Sequence, residues 1–363
     1  LIQEIRSVRN RLPQDVKMAR LHFGGGTPTL LSTELMNRLC DAVFTQFGSA
    51  PGFEFSVEID PTEASDCILE TLADWNLGRA SIGIQDFTPK VQKTIGREQS
   101  LKQTRDVVEK LRALGIGSVN FDLVYGLPHQ TRDSLAATLE KVLALKPDRL
   151  ALYGYAHVPQ MSKRQVMICE DDLPGTHERF HLATLARDIL TKHGLVPIGI
   201  DHFATEADSL AQAAGKGQLR RNFQGYTDDP CKTLIGFGAS AISEFREGYV
   251  QNAVATAAYV ERITHDGIAG HRGYAMTIKD EMLADMVQEL MCRGSFNIDR
   301  LKASHPFLTV EIDRIVLELS TKYPDALEIN GGELSIRSDA ESLTRVIASA
   351  ATSEQKSTGS LAI

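Results

Sequence analysis

The sequence has no apolar run long enough to cross a bilayer, no excess of positive charge and no clustered cysteines, and each absence removes a class of function. A transmembrane helix needs about 20 apolar residues in a row, and the opening Leu-Ile-Gln-Glu-Ile-Arg carries no signal-peptide core. No membrane partner is expected, and the cytoplasm is the expected compartment. With 39 Lys and Arg against 47 Asp and Glu, the net charge of −8 argues against a nucleic-acid partner, which leaves a basic footprint. The five cysteines, at 40, 67, 169, 231 and 292, are odd in number, widely separated and without a Cys-x-x-Cys, so they make no disulfide framework. No repeat of fixed period is present. The first residue is Leu rather than Met, and the sequence is read as starting partway through a longer gene product.

What is present is organised around Leu21-His-Phe-Gly-Gly-Gly-Thr-Pro-Thr29. Ala19 to Phe23 reads as a buried parallel strand that breaks into three glycines. Residues without Cβ allow positive φ and let a ligand lie on main-chain N–H groups, although the triplet taken alone favours a tight strand-to-helix turn. Further strands are expected at 55–59, 79–84, 119–124, 149–155 and 196–200. Between them stand helical stripes, among them Leu35, Leu39 and Val43, with a capping box at Ser100 and Gln103. A helix over 1–12 opens the chain. This alternation predicts parallel strands joined by right-handed crossovers, in a full or partial (β/α) barrel or in a doubly wound open sheet.

After residue 204 the pattern changes. Gly215 to Thr227 reads as a polar functional loop, a capping box of Thr277 and Asp280 opens a helix, and 327–336 reads as a hairpin around Asn330-Gly331. The expected divisions are a partial barrel over 1–204, a loop region with connecting helices over 205–276, a mainly helical, winged-helix-like domain with a hairpin over 277–352, and a disordered tail over 353–363.

Ligands of a parallel α/β barrel bind at the carboxyl ends of its strands. In this sequence those ends carry Gly25, Gly26 and Thr27, then Glu58, Gln85, Asp122, Ala156 and, after the last strand, His202. A carboxylate such as Asp122 inside a buried strand costs several kcal/mol unless it is paired or faces a ligand. A buried ion pair is the competing explanation for Asp122, a turn cap for Glu58, a core amide for Gln85, and a solvated charge for Arg97.

The segments GGGTPT, SVEIDP, RASIGIQDF, GREQ, NFDLVYGLPHQT, YGYAHVPQ, IGIDHFA and RNFQGYT together resemble the oxygen-independent coproporphyrinogen III oxidases, a radical S-adenosylmethionine (SAM) family, from about residue 23 to 242. The resemblance implies a partial (β/α) barrel with a helical C-terminal domain, and oxidative decarboxylation of two propionates of coproporphyrinogen III to vinyls by a SAM-derived radical. It implies that Gly25, Gly26 and Thr27 hold the methionyl end of SAM, that Glu58, Gln85, Arg97, Asp122 and Ala156 contact SAM along the rim, and that Phe223, Gln224 and Ile242 belong to a second SAM site. Arg220 and Arg221, with His202, are the candidates for the substrate's carboxylates. The family's Cys-x-x-x-Cys-x-x-Cys motif for a four-iron four-sulfur cluster is not among these residues, so no metal ligand is expected in this chain and the chain as given is expected to be inactive. The expected partners are coproporphyrinogen III and an unidentified electron donor, with the protein a monomer. A haem chaperone of the same superfamily and a non-catalytic SAM-binding remnant are the alternatives; RNFQGYT and DHFA favour the oxidase.

Overall fold

The expected alternation forms, with one reversal at its far edge. In the computed structural model, which describes residues 1–162 and 165–352, five strands lie parallel and adjacent: β1 (Met18–Phe23), β2 (Ser49–Ile59), β3 (Arg79–Gln85), β4 (Ser118–Tyr125) and β5 (Arg149–Gly154). The helices between them start where the sequence supplies caps. Ser32 accepts from Leu35 N–H, Ser65 from Ile68 N–H, and Ser100–Gln103 and Thr131–Ser134 form reciprocal capping boxes. The opening helix, Ile2–Arg9, is shorter than expected. The tail expected over 353–363 lies outside the described residues.

The strand expected at 196–200 does not extend the parallel series. β6 (Val196–Ile198) ends at a reversal, and β7 (His202–Ala204) returns antiparallel between β5 and β6, giving the order β1-β2-β3-β4-β5-β7-β6. Gly199 makes the turn at φ 57°, and a Cβ there would clash with the Tyr226 ring and hydroxyl. Hydrophobic periodicity marks a strand but not its direction, so a three-residue return is invisible to it.

Each strand has two unlike faces. The outer face (Phe55, Val57, Ile59, Ile82, Ile84, Phe121, Leu123, Leu150) packs with helix residues such as Leu69, Leu72, Leu111 and Leu139 into the main core. Full burial of such side chains stabilises by about 1.5–3 kcal/mol each. The inner face gathers the polar groups, Arg20 and His22, Glu54, Ser56 and Glu58, Arg79 and Ser81, Asn120 and Asp122, Arg149 and Tyr153, with Ala151 among them. The register sets His22 opposite Ser56, Glu58 opposite Ser81, Gly83 opposite Asp122, Asp122 opposite Ala151, and Ala151 opposite His202. The apolar core thus lies on one side of the sheet, leaving the other to hold polar groups.

Beyond β7, where a loop region with connecting helices is expected, short strands form instead. β8 (Arg220–Asn222) and β9 (Gly225–Thr227) make a hairpin, and β10 (Ile242–Phe245), β11 (Gly248–Asn252) and β12 (Gly270–Ala275) make an antiparallel sheet, with a helix at Thr256–Asp266. Buried Glu4 of the opening helix ties that sheet down, accepting from Gly238 N–H, Asn252 and Tyr259. The C-terminal part holds helices Ile278–Arg293, Ile298–Ser304, Thr309–Lys322 and Thr344–Ala351, with β13 (Ser295–Asn297) and the hairpin β14 (Leu327–Asn330) and β15 (Glu333–Ile336), around a separate apolar cluster.

Candidate active site

The carboxyl ends of β1 to β5 form an open mouth, and the glycine turn is one wall of it. A Cβ on Gly24 would lie 2.5 Å from His22 Nε2 and 2.7 Å from Glu58 Oε1, so only glycine lets those side chains pass. Gly25, at φ 79°, and Gly26 have no atom within 4 Å of where a Cβ would stand, and both are exposed. They form a bare main-chain shelf. Thr27 follows as the cap of the turn Pro28–Leu30.

Glu58 closes the turn from β2. Its Oε2 accepts from Gly25 N–H at 3.2 Å, and its Oε1 lies 3.5 Å from His22 Nε2, while His22 Nδ1 meets Ser56 Oγ at 2.9 Å. The hydrogen bond with His22 holds the Glu58 carboxyl below its ordinary pKa. The Gly25 amide, expected to face a ligand, is therefore already engaged by Glu58.

Asp122 has no cationic partner among the described residues, which sets aside the buried ion pair. It accepts from Ser81 Oγ at 2.8 Å and Asn120 Nδ2 at 3.0 Å. Protein crowds it on every side, and burial pushes its carboxyl above the ordinary value, yet part of its surface stays accessible. That combination belongs to a carboxylate that lines an open mouth.

Gln85 ends β3 with the left-handed φ of 66°, at a register shift after Gly83. A Cβ on Gly83 would lie 3.0 Å from Arg97 Nη2 and 3.1 Å from Gln85 Nε2, so glycine makes room for both. Arg97 is not the solvated charge its base rate suggests: Nη2 donates to Asp60 Oδ2 at 3.1 Å and to Gly83 O at 3.3 Å, and its buried Nε has no partner among the described residues. Ala156 is exposed on the loop after β5.

His202 is buried, with Nδ1 2.7 Å from Asp201 Oδ1. Arg220 departs from its expected role. Its Nη1 donates to the carbonyls of Asp229, Pro230 and Cys231, which staples the hairpin to the segment after it. Arg221 instead lies over the Tyr226 ring at 5.8 Å. Phe223 and Gln224 form the exposed hairpin tip, and Gly225 beside them approaches His202. Ile242 opens β10, backed by Gly236.

Sequence reasoning passed over His22, Ser81, Asn120 and Tyr153. The alternation of Leu21-His22-Phe23 already placed His22 on the inner face; for the other three the signal was the same period-two pattern.

SAM carries an ammonium, a carboxylate, a ribose diol and a sulfonium, and the residues present suit it. The bare shelf, the carboxylates of Glu58 and Asp122 in the same mouth, and the orphaned Arg97 Nε offer matching acceptors and donors. An iron–sulfur cluster is not suited in this way. Cys40 is buried in the core and Cys292 sits at the edge of another apolar cluster, burial pushing both thiols up to about 12, and no three Cys, His, Asp or Glu among the described residues are grouped to hold a metal ion.

Comparison with known proteins places residues 3–142 within the radical SAM superfamily model. An oxygen-independent coproporphyrinogen III oxidase from Cereibacter sphaeroides is 48% identical over 96% of this chain and 77% of its own length. A relative of the same description from Paracoccus denitrificans is 45% identical over 96% and 77%. The solved coproporphyrinogen III oxidase of Escherichia coli, described as a radical SAM enzyme, superposes with a TM-score of 0.91 at 32% identity, covering 96% of this chain and 81% of that one.

Proposed function

This chain belongs to the oxygen-independent coproporphyrinogen III oxidases of the radical SAM superfamily, and from that premise we propose that its mouth binds SAM and acts on coproporphyrinogen III in anaerobic haem synthesis. Gly25, Gly26 and Thr27 hold the methionyl end, whose charged groups suit main-chain donors and acceptors. Glu58, oriented by His22 and the Gly25 amide, faces the ammonium, and Asp122, deeper in the mouth, takes the ribose hydroxyls. Gln85, Arg97 and Ala156 complete the rim, and Phe223, Gln224 and Ile242 form the second SAM position. When bound, SAM supplies the adenosyl fragment that removes hydrogen from unactivated carbon. The chain's own residues attract the cationic sulfonium to an acidic mouth and fix its orientation. Of the two arginines, Arg221 is the one placed to meet a substrate carboxylate, because Arg220 Nη1 is bonded to backbone carbonyls.

The five cysteines do not fit a cluster. Reductive cleavage of SAM needs ligands that these 363 residues do not contain, so this polypeptide alone should not turn over. The observation carrying the reading is Asp122, a carboxylate kept in an open mouth by neutral donors only. Titration with SAM should show saturable binding to the 363-residue chain, and iron analysis after anaerobic reconstitution should give far less than one cluster per chain. Absence of SAM binding would sink the site; a full cluster per chain would refute the argument from the cysteines.

A further inference from the structure

Two lines of contact from the C-terminal helices converge on one imidazole at the mouth. His202 opens β7 opposite Ala151, which stands opposite Asp122, so its side chain belongs to the inner face of the sheet. Its Nδ1 lies 2.7 Å from Asp201 Oδ1, and the other oxygen of Asp201 accepts from Arg345 Nη2 at 2.9 Å, an arginine of the helix Thr344–Ala351. The His202 ring also meets Tyr226 edge-on at 5.3 Å. Tyr226 donates to the Met291 carbonyl of the helix Ile278–Arg293 at 2.8 Å and accepts from Ile200 N–H at 3.1 Å. Tyr153 stands edge-on at 5.9 Å from another side. Plane and tilt of the ring are thus set by two neighbours that are themselves anchored outside the sheet.

With Nδ1 engaged by a carboxylate, Nε2 is the nitrogen left for a ligand, and it has no hydrogen-bond partner among the described residues. The fixed charges nearby are mostly negative: Asp201 on the turn, Asp122 on β4 and Glu58 on β2. A tetracarboxylate entering this mouth therefore needs donors placed deliberately, and Arg220 Nη1 is already bonded to carbonyls. The remaining donors on this wall are His202 Nε2 and Arg221, which lies over the same Tyr226 ring.

We propose that His202 holds one carboxylate of the tetrapyrrole substrate and that the C-terminal helices position it, through Arg345–Asp201 on one side and Met291–Tyr226 on the other. The proposal rests on the substrate reading above. As an imidazolium, His202 donates Nδ1–H to Asp201 and Nε2–H to the carboxylate. The groups facing it are Asp201, Asp122, Glu58, Arg221 and Arg345, with Tyr153 and Tyr226 held neutral by burial.

The test is equilibrium binding of coproporphyrin III, the stable oxidised porphyrin with the same four carboxylates, to the 363-residue chain, followed by fluorescence. His202→Gln should weaken binding about tenfold, with SAM affinity unchanged. Arg345→Met, at an exposed position whose loss does not threaten folding, should weaken binding roughly threefold and Arg345→Lys restore most of it. Binding by His202→Gln within about twofold of the parent, or an Arg345→Met variant equal to the parent, overturns the proposal. A parent that binds SAM but no porphyrin overturns the substrate reading instead.

Discussion

The inner face of the sheet carries charge at both ends, and the two ends treat it differently. At the floor, the amino ends of the strands, acid meets base: Arg79 with Glu54 at 3.2 Å, Arg149 with Asp208 at 2.7 Å, and Arg20 with Asp228 at 3.4 Å. At the mouth, Asp122 meets only Ser81 and Asn120, and Glu58 a main-chain amide and His22. Both sets arise from the same alternation on the same strands. What separates structural from ligand-facing charge is the partner: a desolvated carboxylate given neutral donors alone is incompletely compensated until something else arrives.

Breaking the floor should have the largest effect. Burial and then repulsion from Arg79 already pull Arg149 below the usual guanidinium range, yet its side chain is held by nearly inaccessible Asp208. Arg149→Met leaves that carboxylate buried and unpaired, at a cost of about 3–5 kcal/mol in urea unfolding. Asp208 also caps the helix Ser209–Gly215 by accepting from Leu210 N–H. The double variant Arg149→Met, Asp208→Asn keeps a capping oxygen and removes the charge, and should recover most of the loss. Its SAM affinity should match the parent's. Single-variant stability equal to the parent's would erase the contrast between floor and mouth.

The mouth should respond in the opposite sense. Folding raises the Asp122 pKa by burial, so the stability this group contributes is fully present below the ordinary carboxylate value of about 3.9 and is lost as pH rises through the raised folded value. Asp122→Asn has nothing to titrate there. Above that window it should be more stable than the parent, by about 1 kcal/mol given the surface Asp122 keeps accessible; below it the two should converge. Its SAM affinity should fall about tenfold, near 1.4 kcal/mol. Glu58 runs the other way: its pKa is lowered by His22, so its contribution is present at neutral pH and lost as pH falls through the depressed value. Thermal melts of the parent, Asp122→Asn and Glu58→Gln across pH, set beside SAM titrations, check both signs; an Asp122→Asn protein that is less stable at neutral pH would mean the floor and mouth carboxylates are held alike.

Much of this contrast was legible in the sequence, and the illegible part has a common cause. The glycine triplet, the capping box at Ser100 and the polar strand ends are local signals, and they form where they were expected. The reversal at Gly199, the sheet β10 to β12 and the staple formed by Arg220 depend on partners remote in sequence or on strands too short for a period to register. Arg345 and Asp201 are 144 residues apart, and nothing near either announces the other. Charge pairing at the floor is hidden for the same reason: Arg20 and Asp228 look like two ordinary surface residues until the fold brings them together.

The smallest effect sharpens the comparison most finely. Gln85 holds a left-handed backbone at the end of β3, which for a residue with a Cβ costs roughly 1–2 kcal/mol. Glycine would remove that strain but gives the unfolded chain more freedom, by about 0.4–1 kcal/mol, so Gln85→Gly should change stability by less than about 1 kcal/mol in either direction. If the position served only the turn, as glycines at floor-side turns do, the variant would be silent in every assay. The side-chain amide, packed beside Gly83 and Arg97 at the mouth, gives a reason to keep the strained residue. SAM affinity should therefore fall about threefold or more while the melting temperature stays put, and a variant that binds SAM like the parent would return Gln85 to the backbone and remove it from the site.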